Sequence, residues 1–465
     1  MRRVIGVGLA IVLFTGCGGG GGGGKDSGQS ALLHRSITST IFWVGEEAGP
    51  ANGGISNQPS AWDGLWTLSY GGVDDPEHRN GYLPAGFIPY ENPFYVALPF
   101  NDLDEQGQRK KGLKKIIPWY NDEDPRESLC KNHWVEISKD GKTVYAQWED
   151  AGPFETNDSE YVFGTARPKN RINDHAGIDL SPAIRDYLGV EDIDRVDWRF
   201  VDESEVPEGP WKEIVTRSGV HWPDPDAYIP PESRWQWQLQ GDLNTSYDVD
   251  YYDIDLFDTQ EEEIRQLHSE GQKVICYFSA GSWESWRPDA EAFPERVKGR
   301  KMDRWDELWL DIRDPAVRSL MKKRLDLALG KGCDGVEPDN VDGYANETGF
   351  NLSARDQIDY NRFLAREAHK RGLSIGLKND LEQVKVLEPW FDFALNEQCH
   401  EYGECDRLSP FIEAGKAVFN AEYAEKYVKN TDGARDALCQ DAKERKFSTL
   451  VLPRELDGSF RYSCD

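Results

Sequence analysis

The chain has 465 residues, with 54 Lys and Arg against 83 Asp and Glu, which gives a formal net charge of −29. A chain of this length exceeds one ordinary hydrophobic core and predicts about two domains. Its 38% hydrophobic and 29% charged residues are typical of a folded chain and exclude a disordered one. The acidic excess argues against a nucleic-acid partner, because such binding depends on Lys and Arg that neutralise phosphates.

The first residues have the pattern of an export signal. Arg2 and Arg3 precede an apolar run at 4–14, and Cys17 directly follows Gly16. A short basic and then apolar stretch that ends in small residues is typical of such signals. The stretch before Cys17 resembles a bacterial lipobox, which implies that Cys17 carries a lipid and becomes the first residue of the mature chain. The alternative is a plain secretory signal.

A glycine-rich segment follows the predicted signal peptide at 1–17. Every residue from 18 to 24 is glycine, and such segments behave as flexible linkers. We therefore expect a tether at 18–33 that holds a folded body at an outer membrane or cell surface, unless the protein is fully secreted. The lipid is the only membrane attachment expected, because no apolar run reaches the length of a spanning helix.

Export also decides what the cysteines do, because exported proteins form disulfides. Seven cysteines remain after Cys17, so at least one stays unpaired. Two pairs that are close in sequence could form disulfides: Cys399 with Cys405, and Cys439 with Cys464.

Two further cysteines and a possible metal motif have simpler interpretations. Cys276 and Cys333 lie in apolar, strand-like runs and are expected to be buried thiols. The group of Cys399, His400 and Cys405 lacks four-ligand spacing, and we expect no metal site there.

The region 34–230 reads as short strands separated by Gly, Pro, Asn and Asp, which predicts an all-β barrel or sandwich. Strands are expected at 37–44, 93–98, 134–137, 143–148 and 196–201, with a short helix that ends at 188. The sequence Asp-Ala-Gly-Pro-Phe at 150–154, followed by Ile-Asp-Leu-Ser at 178–181, resembles the double-psi β-barrel of the expansin and rare-lipoprotein-A group.

Two interpretations of Asp150 stay open. In lytic members of that group an Asp near this place acts as acid/base on peptidoglycan, which implies the same role for Asp150. Alternatively, Asp150 and Asp179 only stabilise the barrel by accepting backbone N–H groups. No second catalytic group is evident in this region, so we interpret it as a glycan-binding module.

From 231 to 465 the pattern changes to strands that alternate with amphipathic helices, such as 316–328 and 356–370. Alternation over this length predicts a (β/α)8 TIM barrel. Nine strand candidates occur, one more than the fold needs, at 235–239, 252–257, 273–279, 308–312, 333–337, 373–378, 391–396, 417–420 and 448–452. We expect 235–239 to be the accessory one.

The ends of these strands are rich in carboxylates. In a TIM barrel the chemistry lies where strands end at the C-terminal face. Glycoside hydrolysis needs one carboxylic acid to protonate the leaving oxygen and one carboxylate to attack or to activate water. Metal-dependent hydrolysis usually recruits histidine, and only His400 lies at a strand end. The pattern predicts a glycosidase that needs no cofactor.

Five motifs occur in order: YDIDLFD at 252–258, VICYFSAG at 274–281, GVEPDNVDGY at 335–344, GLKN at 376–379 and ALNEQC at 394–399. Together they resemble glycoside hydrolase family 114, the endo-α-1,4-polygalactosaminidases. The resemblance implies that Asp339 is the nucleophile and Glu397 the acid/base. Residues expected to bind substrate are Trp237, Asp255, Tyr277, Glu337, Asn340, Tyr344, Lys378 and Asn379.

The residues themselves leave one ambiguity about the nucleophile. Glu337 and Asp339 have the same parity on one strand, so both could face the barrel axis. Pro338 suits a strand end and favours Asp339 as the residue on the open face. Asp339 and Glu397 lie on strands two apart, which allows them to approach a sugar from opposite sides. Lys378 would favour the ionised form of Asp339.

The resemblance also implies the partner, a galactosamine-containing exopolysaccharide. Free amino groups make that polymer cationic, and a protein with a net charge of −29 would attract it. We expect a monomeric endo-glycosidase, with a retaining mechanism. Two alternatives remain: a non-catalytic, glycan-binding surface lipoprotein, and a peptidoglycan-active barrel that uses Asp150.

Overall fold

The computed structural model describes residues 32–49, 52–221 and 224–464. The predicted signal peptide, Cys17 and the tether up to residue 31 lie outside these residues. Within the described ranges, no helix combines the length and apolarity needed to cross a membrane.

The N-terminal part contains a closed barrel of six strands. The strands of this whole part are β1 (His34–Ile41), β2 (Arg79–Asn80), β3 (Leu83–Pro84), β4 (Tyr95–Leu98), β5 (Trp134–Lys139), β6 (Lys142–Ala151), β7 (Ile178–Leu180) and β8 (Ile193–Val201). Its helices are α1 (Trp66–Tyr70), α2 (Ser159–Val162) and α3 (Pro182–Leu188). The barrel order is β1-β7-β4-β6-β5-β8, while β2 and β3 form a separate hairpin. The predicted barrel is confirmed, and its double-psi type stays a prediction.

The C-terminal part is a TIM-barrel-like sheet wrapped by helices. Its strands are β9 (Trp235–Gln238), β10 (Tyr251–Asp255), β11 (Lys273–Ser279), β12 (Ser282–Glu284), β13 (Lys298–Lys301), β14 (Glu307–Leu310), β15 (Gly335–Asp339), β16 (Ser374–Lys378), β17 (Phe393–Glu397), β18 (Val418–Glu422), β19 (Ser448–Val451) and β20 (Tyr462–Ser463). Its helices are α4 (Glu261–Ser269), α5 (Pro315–Lys331), α6 (Ala354–Lys370), α7 (Val384–Leu387), α8 (Cys399–Tyr402), α9 (Ser409–Glu413), α10 (Glu425–Val428) and α11 (Ala434–Arg445).

Eight parallel strands make up this sheet, in the order β9-β10-β11-β15-β16-β17-β18-β19, with β20 antiparallel on β19. The first and last parallel strands, β9 and β19, lie close together. The indole N–H of Trp235 on β9 donates to the Ser448 carbonyl at the start of β19, at 2.9 Å. The expectation that 235–239 is accessory is therefore wrong. The surplus candidate is 308–312, which contributes to β14.

Strand β14 lies in a separate three-stranded antiparallel sheet, β12-β14-β13, inserted after β11. Leu310 is fully buried there and Trp309 nearly so. A short apolar run reads the same in an insertion as in a barrel, because burial and not strand pairing sets its composition. We call residues 280–312, which contain this small sheet, the cleft insertion.

Helices α5 and α6 begin and end where their flanking residues predict. Asp314 caps α5 by accepting from the backbone N–H of Ala316, and Gly332 ends the helix with φ of 89°. Ser353 and Asp356 cap α6 reciprocally, each accepting from the backbone N–H of the other. Helix α5 packs against β15, and α6 packs against both β15 and β16.

Three disulfides lie in the C-terminal part, joining Cys276 to Cys333, Cys399 to Cys405, and Cys439 to Cys464. The expectation of buried thiols at Cys276 and Cys333 is wrong. The strand β11 that carries Cys276 pairs directly with β15, and Cys333 precedes β15 by two residues, so their Cα atoms are 6.0 Å apart. Cys130 is a free, buried thiol.

Helix α6 also contacts the N-terminal part. Arg362 donates to the carbonyls of Ser69 at 2.9 Å and Leu68 at 3.3 Å, and its guanidinium lies 5.0 Å from the ring centroids of both Tyr90 and Trp390. These contacts use a face of α6 that points away from the barrel axis, and they leave the C-terminal ends of the barrel strands open.

Candidate active site

Three neighbouring strands bring the predicted catalytic residues together. Asp339 ends β15, Lys378 ends β16 and Glu397 ends β17, and these strands are adjacent in that order. All three side chains line an open cleft of about 850 Å³ at the C-terminal face of the barrel. Also lining this cleft are the predicted residues Trp237, Asp255, Tyr277, Asn340 and Asn379.

Lys378 is the centre of the site. Its ammonium Nζ lies 2.7 Å from Glu337 Oε1, 3.2 Å from Asp339 Oδ1 and 3.5 Å from Glu397 Oε2. The side chain is only 2% exposed, and the Nζ atom lies 4.8 Å from the centroid of the Trp237 ring. The neighbouring carboxylates hold the pKa of Lys378 well above its usual value, against the effect of burial. The lysine is therefore a fixed positive charge.

Asp339 accepts hydrogen bonds on both carboxylate oxygens. Oδ1 accepts from the backbone N–H of Asn340 at 2.7 Å in addition to Lys378, and Oδ2 accepts from the Tyr277 hydroxyl at 3.2 Å. The side chain is 19% exposed to the cleft. Three donors, one of them charged, stabilise a carboxylate that still has an accessible face.

Glu397 faces the same lysine from the other side. Its Oε1 accepts from the Tyr423 hydroxyl at 2.5 Å, and its Oε2 accepts from Asn379 Nδ2 at 3.3 Å. Burial and the charge of Glu397 raise the pKa of Tyr423 well above its usual value, so the phenol keeps its proton and acts as a donor. The Glu397 side chain is 30% exposed, so it is more accessible from the cleft than the Asp339 side chain.

The backbone turns sharply just after each of these strands. Asn340, Asn379 and Gln398 have φ of 61°, 50° and 66°, in the left-handed region where asparagine is tolerated better than most residues. Asn340 Nδ2 then donates to Ser279 Oγ at 2.9 Å, and Asn379 Oδ1 accepts from the Glu397 backbone N–H at 3.0 Å. The asparagines thus turn the chain and fix neighbouring site residues.

Gly281 explains the end of the VICYFSAG motif. A Cβ atom at this position would lie 1.7 Å from the carbonyl oxygen of Asn340. Only glycine allows the chain after β11 to pass this close to the turn that follows Asp339.

A second carboxyl group lies beneath Lys378. Glu337 is fully buried, and burial raises its pKa to about 7 although Lys378 opposes the shift. Asp253 on β10 is also fully buried, and neither of its oxygens has a hydrogen-bond donor in the described part of the chain. Burial and the adjacent Glu337 raise the pKa of Asp253 well above its usual value, which favours a protonated Asp253 that donates a hydrogen bond to Glu337.

Other predicted binding residues have structural partners. Both oxygens of Asp255 accept from Arg287, at 2.9 and 2.7 Å, and Arg287 also donates to Glu284 at 2.8 Å. Neither Glu337 nor Tyr344 is among the described residues that line the cleft. Tyr344 instead lies beside Asp380, where burial and Asp380 raise its pKa to about 12.

Three residues of this site were missing from the sequence-based set. Asp253 lies two residues before Asp255 and so faces the same side of β10, a parity signal that could have identified it. Tyr423 directly follows β18, and its aromatic type at a strand end was a usable signal. Arg287 lies in the cleft insertion, and no sequence pattern connects it to Asp255.

The N-terminal barrel holds a separate acidic pair. Asp150 and Asp179 are both in register with Ala97 on the intervening strand β4. Asp150 Oδ1 accepts from the backbone N–H groups of Ala61 at 2.7 Å and Ala151 at 2.8 Å. Burial raises the pKa of Asp150 to about 6, and burial together with Asp150 raises that of Asp179 to about 7.

Comparison with known proteins gives one family and several related structures. A sequence profile of glycoside-hydrolase family GH114 matches residues 220–465. The chain is similar to Ega3 of Aspergillus fumigatus, solved in complex with galactosamine, with 42% identity and a TM-score of 0.49 over 51% of this chain and 96% of that one. It is also similar to the glycoside hydrolase domain of PelA from Pseudomonas aeruginosa, with 16% identity and a TM-score of 0.41 over 49% of this chain and 97% of that one. No curated protein matches the chain.

Proposed function

Because the chain belongs to glycoside-hydrolase family GH114 and is thereby a glycosidase, we propose that it cuts α-1,4-linked, galactosamine-containing polysaccharide at internal bonds. Asp339 is the nucleophile and Glu397 the acid/base in this proposal. The 42% sequence identity with Ega3, which was solved with galactosamine, supports the choice of sugar.

The observation that carries the proposal is the shared contact with Lys378. Since one Nζ atom lies 3.2 Å from Asp339 Oδ1 and 3.5 Å from Glu397 Oε2, those two oxygens face each other across one side chain. The two oxygens are at most about 7 Å apart. This limit allows the carboxyl separation of roughly 5–5.5 Å found in retaining enzymes, and only the lower end of the roughly 6.5–9.5 Å found in inverting enzymes. This bound supports a retaining mechanism.

The hydrogen bonds support the assignment of the two roles. Asp339 is the better-stabilised anion, with donors from Lys378, Tyr277 and the Asn340 backbone, so it attacks the anomeric carbon as Glu397 gives its proton to the leaving oxygen. Glu397 then takes a proton from the water that displaces Asp339 from the sugar. Tyr423 and Asn379 hold the Glu397 carboxyl in place during both steps.

The charge of the cleft supports a cationic substrate. Besides the catalytic pair, its lining includes the carboxyl groups of Asp242, Asp258, Glu263, Asp342 and Glu455. An ammonium-bearing sugar gains from this field, whereas an N-acetylated sugar does not. Attraction between exposed charges weakens with salt, so we expect hydrolysis of the deacetylated polymer to slow as ionic strength rises.

The test uses the full chain with partially deacetylated α-1,4-galactosamine polymer and detects products by mass spectrometry. We expect short oligomers from the wild type and from Glu455→Gln, a matched cleft variant outside the catalytic pair. Asp339→Asn and Glu397→Gln should release none. The anomeric configuration of the first product, followed by NMR, should be α for a retaining enzyme.

Other outcomes would support the alternatives. Polymer binding that survives both catalytic substitutions, without any product from wild type, would favour a glycan-binding surface protein. Loss of activity in Asp150→Asn, with the Asp339 and Glu397 variants still active, would favour a peptidoglycan-active barrel. The backbone N–H contacts of Asp150 favour a structural role for this residue.

We also propose export and lipid attachment at Cys17, supported by the basic and apolar residues before it. Mass spectrometry of the mature N-terminus should find a lipidated residue 17 in the wild type and none in Cys17→Ser. Release of an unmodified chain from wild-type cells would contradict the anchor but not the glycosidase assignment.

A further inference from the structure

Two tryptophans differ from the others in the described part of the chain. Trp286 is 55% exposed and Trp305 is 46% exposed, whereas the remaining described tryptophans are buried or half-buried. Neither ring stacks on another aromatic ring among the described residues. Leaving a large indole in water forfeits roughly 25 cal/mol for each Å² of apolar surface, so its exposure needs an explanation.

Both exposed rings line the cleft that contains Asp339 and Glu397. They belong to the cleft insertion, the segment that leaves the barrel after β11 and carries the sheet β12-β14-β13. Trp286 follows β12 and Trp305 lies between β13 and β14. One inserted segment therefore brings both rings to the same wall of the catalytic cleft.

The base of this wall is rigid. Arg287, next to Trp286, is 7% exposed and is held by both oxygens of Asp255 and by Glu284. Strand β14, which follows Trp305, buries Leu310 in the core. Fixed backbone positions under exposed rings favour a binding surface, because little backbone freedom of the segment remains to be lost when a ligand stacks.

We propose that Trp286 and Trp305 are stacking sites for sugar rings of the same polysaccharide chain, away from the bond that is cut. This inference rests on the proposed function and specifies how the enzyme holds a long substrate. The apolar C–H face of a pyranose ring matches the flat face of an indole. The exposed carboxylate of Asp258 and the half-buried one of Glu263 line the same cleft and suit amino groups on those rings.

The size of the cleft is consistent with several linked sugars. Pockets of about 300–1,000 Å³ enclose most of a drug-sized ligand, and this cleft has about 850 Å³. Rings held at the insertion and at the catalytic pair at once would make binding stronger for long chains than for short ones. That difference favours cleavage at internal bonds.

The experiment compares two substrates with the full chain: the long deacetylated polymer and the shortest oligosaccharide that wild type cleaves. For Trp286→Ala and Trp305→Ala we expect KM for the polymer to rise about tenfold each, and the ratio of kcat/KM for polymer to that for oligosaccharide to fall by a similar factor. Trp286→Phe and Trp305→Phe should recover most of the loss. Leu329→Ala removes an exposed apolar side chain on α5 outside the cleft and should leave both rates at wild-type values.

Two results would overturn the inference. The first is an unchanged polymer KM in the double variant Trp286→Ala/Trp305→Ala. The second is an equal loss on both substrates, which would indicate a general distortion of the site. If wild type hydrolyses neither substrate, the proposed function fails, and polymer affinity measured by calorimetry still tests the stacking sites. Equal affinity of wild type and the double variant would then refute them.

Discussion

Replacing Lys378 with Met tests whether a single buried cation holds the catalytic carboxylates together. The lysine contacts Glu337, Asp339 and Glu397 within 3.5 Å. Asp339 and Glu397 can recover solvation from the cleft after the change. Glu337 cannot, because it is fully buried and Lys378 is the only cation paired with it among the described residues.

The expected loss follows from that stranded charge. Removing one partner of a buried ion pair costs about 3–5 kcal/mol, out of a total stability of about 5–15 kcal/mol. The folded variant can reduce this cost by keeping Glu337 protonated. Burial already raises the pKa of Glu337 to about 7 against the opposing charge of Lys378, so loss of the lysine raises the pKa further.

The pH dependence has a definite sign. Below the pKa of an unfolded Glu both states of the variant hold the Glu337 proton, and the full stability is present. As pH rises from the unfolded pKa towards the raised folded pKa, the unfolded state releases this proton while the folded state keeps it. Stability is therefore lost over this range. Wild-type Glu337 itself has a raised pKa of about 7, so the difference in stability between wild type and Lys378→Met should stay constant from pH 5 to about pH 7. Above pH 7 only the wild type releases this proton in its folded state, and the difference should widen by about 1.4 kcal/mol by pH 8.

Urea denaturation at pH 7 and at pH 8 measures this difference. The double variant Lys378→Met/Glu337→Gln has no carboxylate to strand, and it should recover most of the stability at high pH without recovering activity. An equal loss at the two pH values, or additive losses in the double variant, would refute the stranded charge as the cause.

Three further predictions concern the surroundings of the catalytic pair. Asp253→Asn keeps a donor for Glu337 and should retain most activity, whereas Asp253→Leu should lower kcat at least tenfold. The infrared carbonyl absorption of protonated carboxyl groups should lose one component in Asp253→Asn, and a difference spectrum without that loss would contradict a protonated Asp253. Gly281→Ala should destabilise the fold by several kcal/mol in thermal unfolding, because the new methyl group would collide with the Asn340 carbonyl. The control Gly330→Ala places a methyl group in open space on α5 and should stabilise the fold by at most about 1 kcal/mol. Tyr423→Phe removes a donor to Glu397 and should reduce kcat roughly 10- to 100-fold in steady-state assays, and a kcat within twofold of wild type would exclude a role for that hydrogen bond.

Much of the C-terminal fold could be predicted from the sequence, because parallel barrel strands are continuous apolar runs separated by helical periodicity. The assignment failed where composition does not specify pairing. The run at 308–312 buries Leu310 as a barrel strand would, but it pairs with β12 and β13. Conversely, 235–239 is rich in tryptophan and glutamine, yet it closes the barrel against β19 through Trp235.

The site shows the same division between what strand ends reveal and what only packing reveals. Asp339, Lys378 and Glu397 could be identified because each lies at or just after the end of a predicted strand, within a motif that resembles the family. Asp253 lies inside the barrel, where a carboxyl group is exceptional unless a neighbour compensates it. Glu337 is that neighbour, and only the folded barrel shows that the two side chains meet, because their strands β10 and β15 are separated by β11. The fixing of Asp255 by Arg287 depends on an insertion whose path the sequence does not specify.

The position of Lys378 explains why the catalytic carboxylates lie on strands two apart. Neighbouring strands are about 4.8 Å apart, so residues at the ends of β15 and β17 start roughly 10 Å apart at the backbone. A retaining pair needs about 5–5.5 Å between carboxyl groups, so both side chains must lean toward the strand between them. That strand, β16, ends in Lys378, whose charge attracts both carboxylates, while Glu337 holds the ammonium group from below. A neutral residue at 378 would remove the charged group that both side chains contact, and the spacing needed for covalent catalysis would be lost before the fold was.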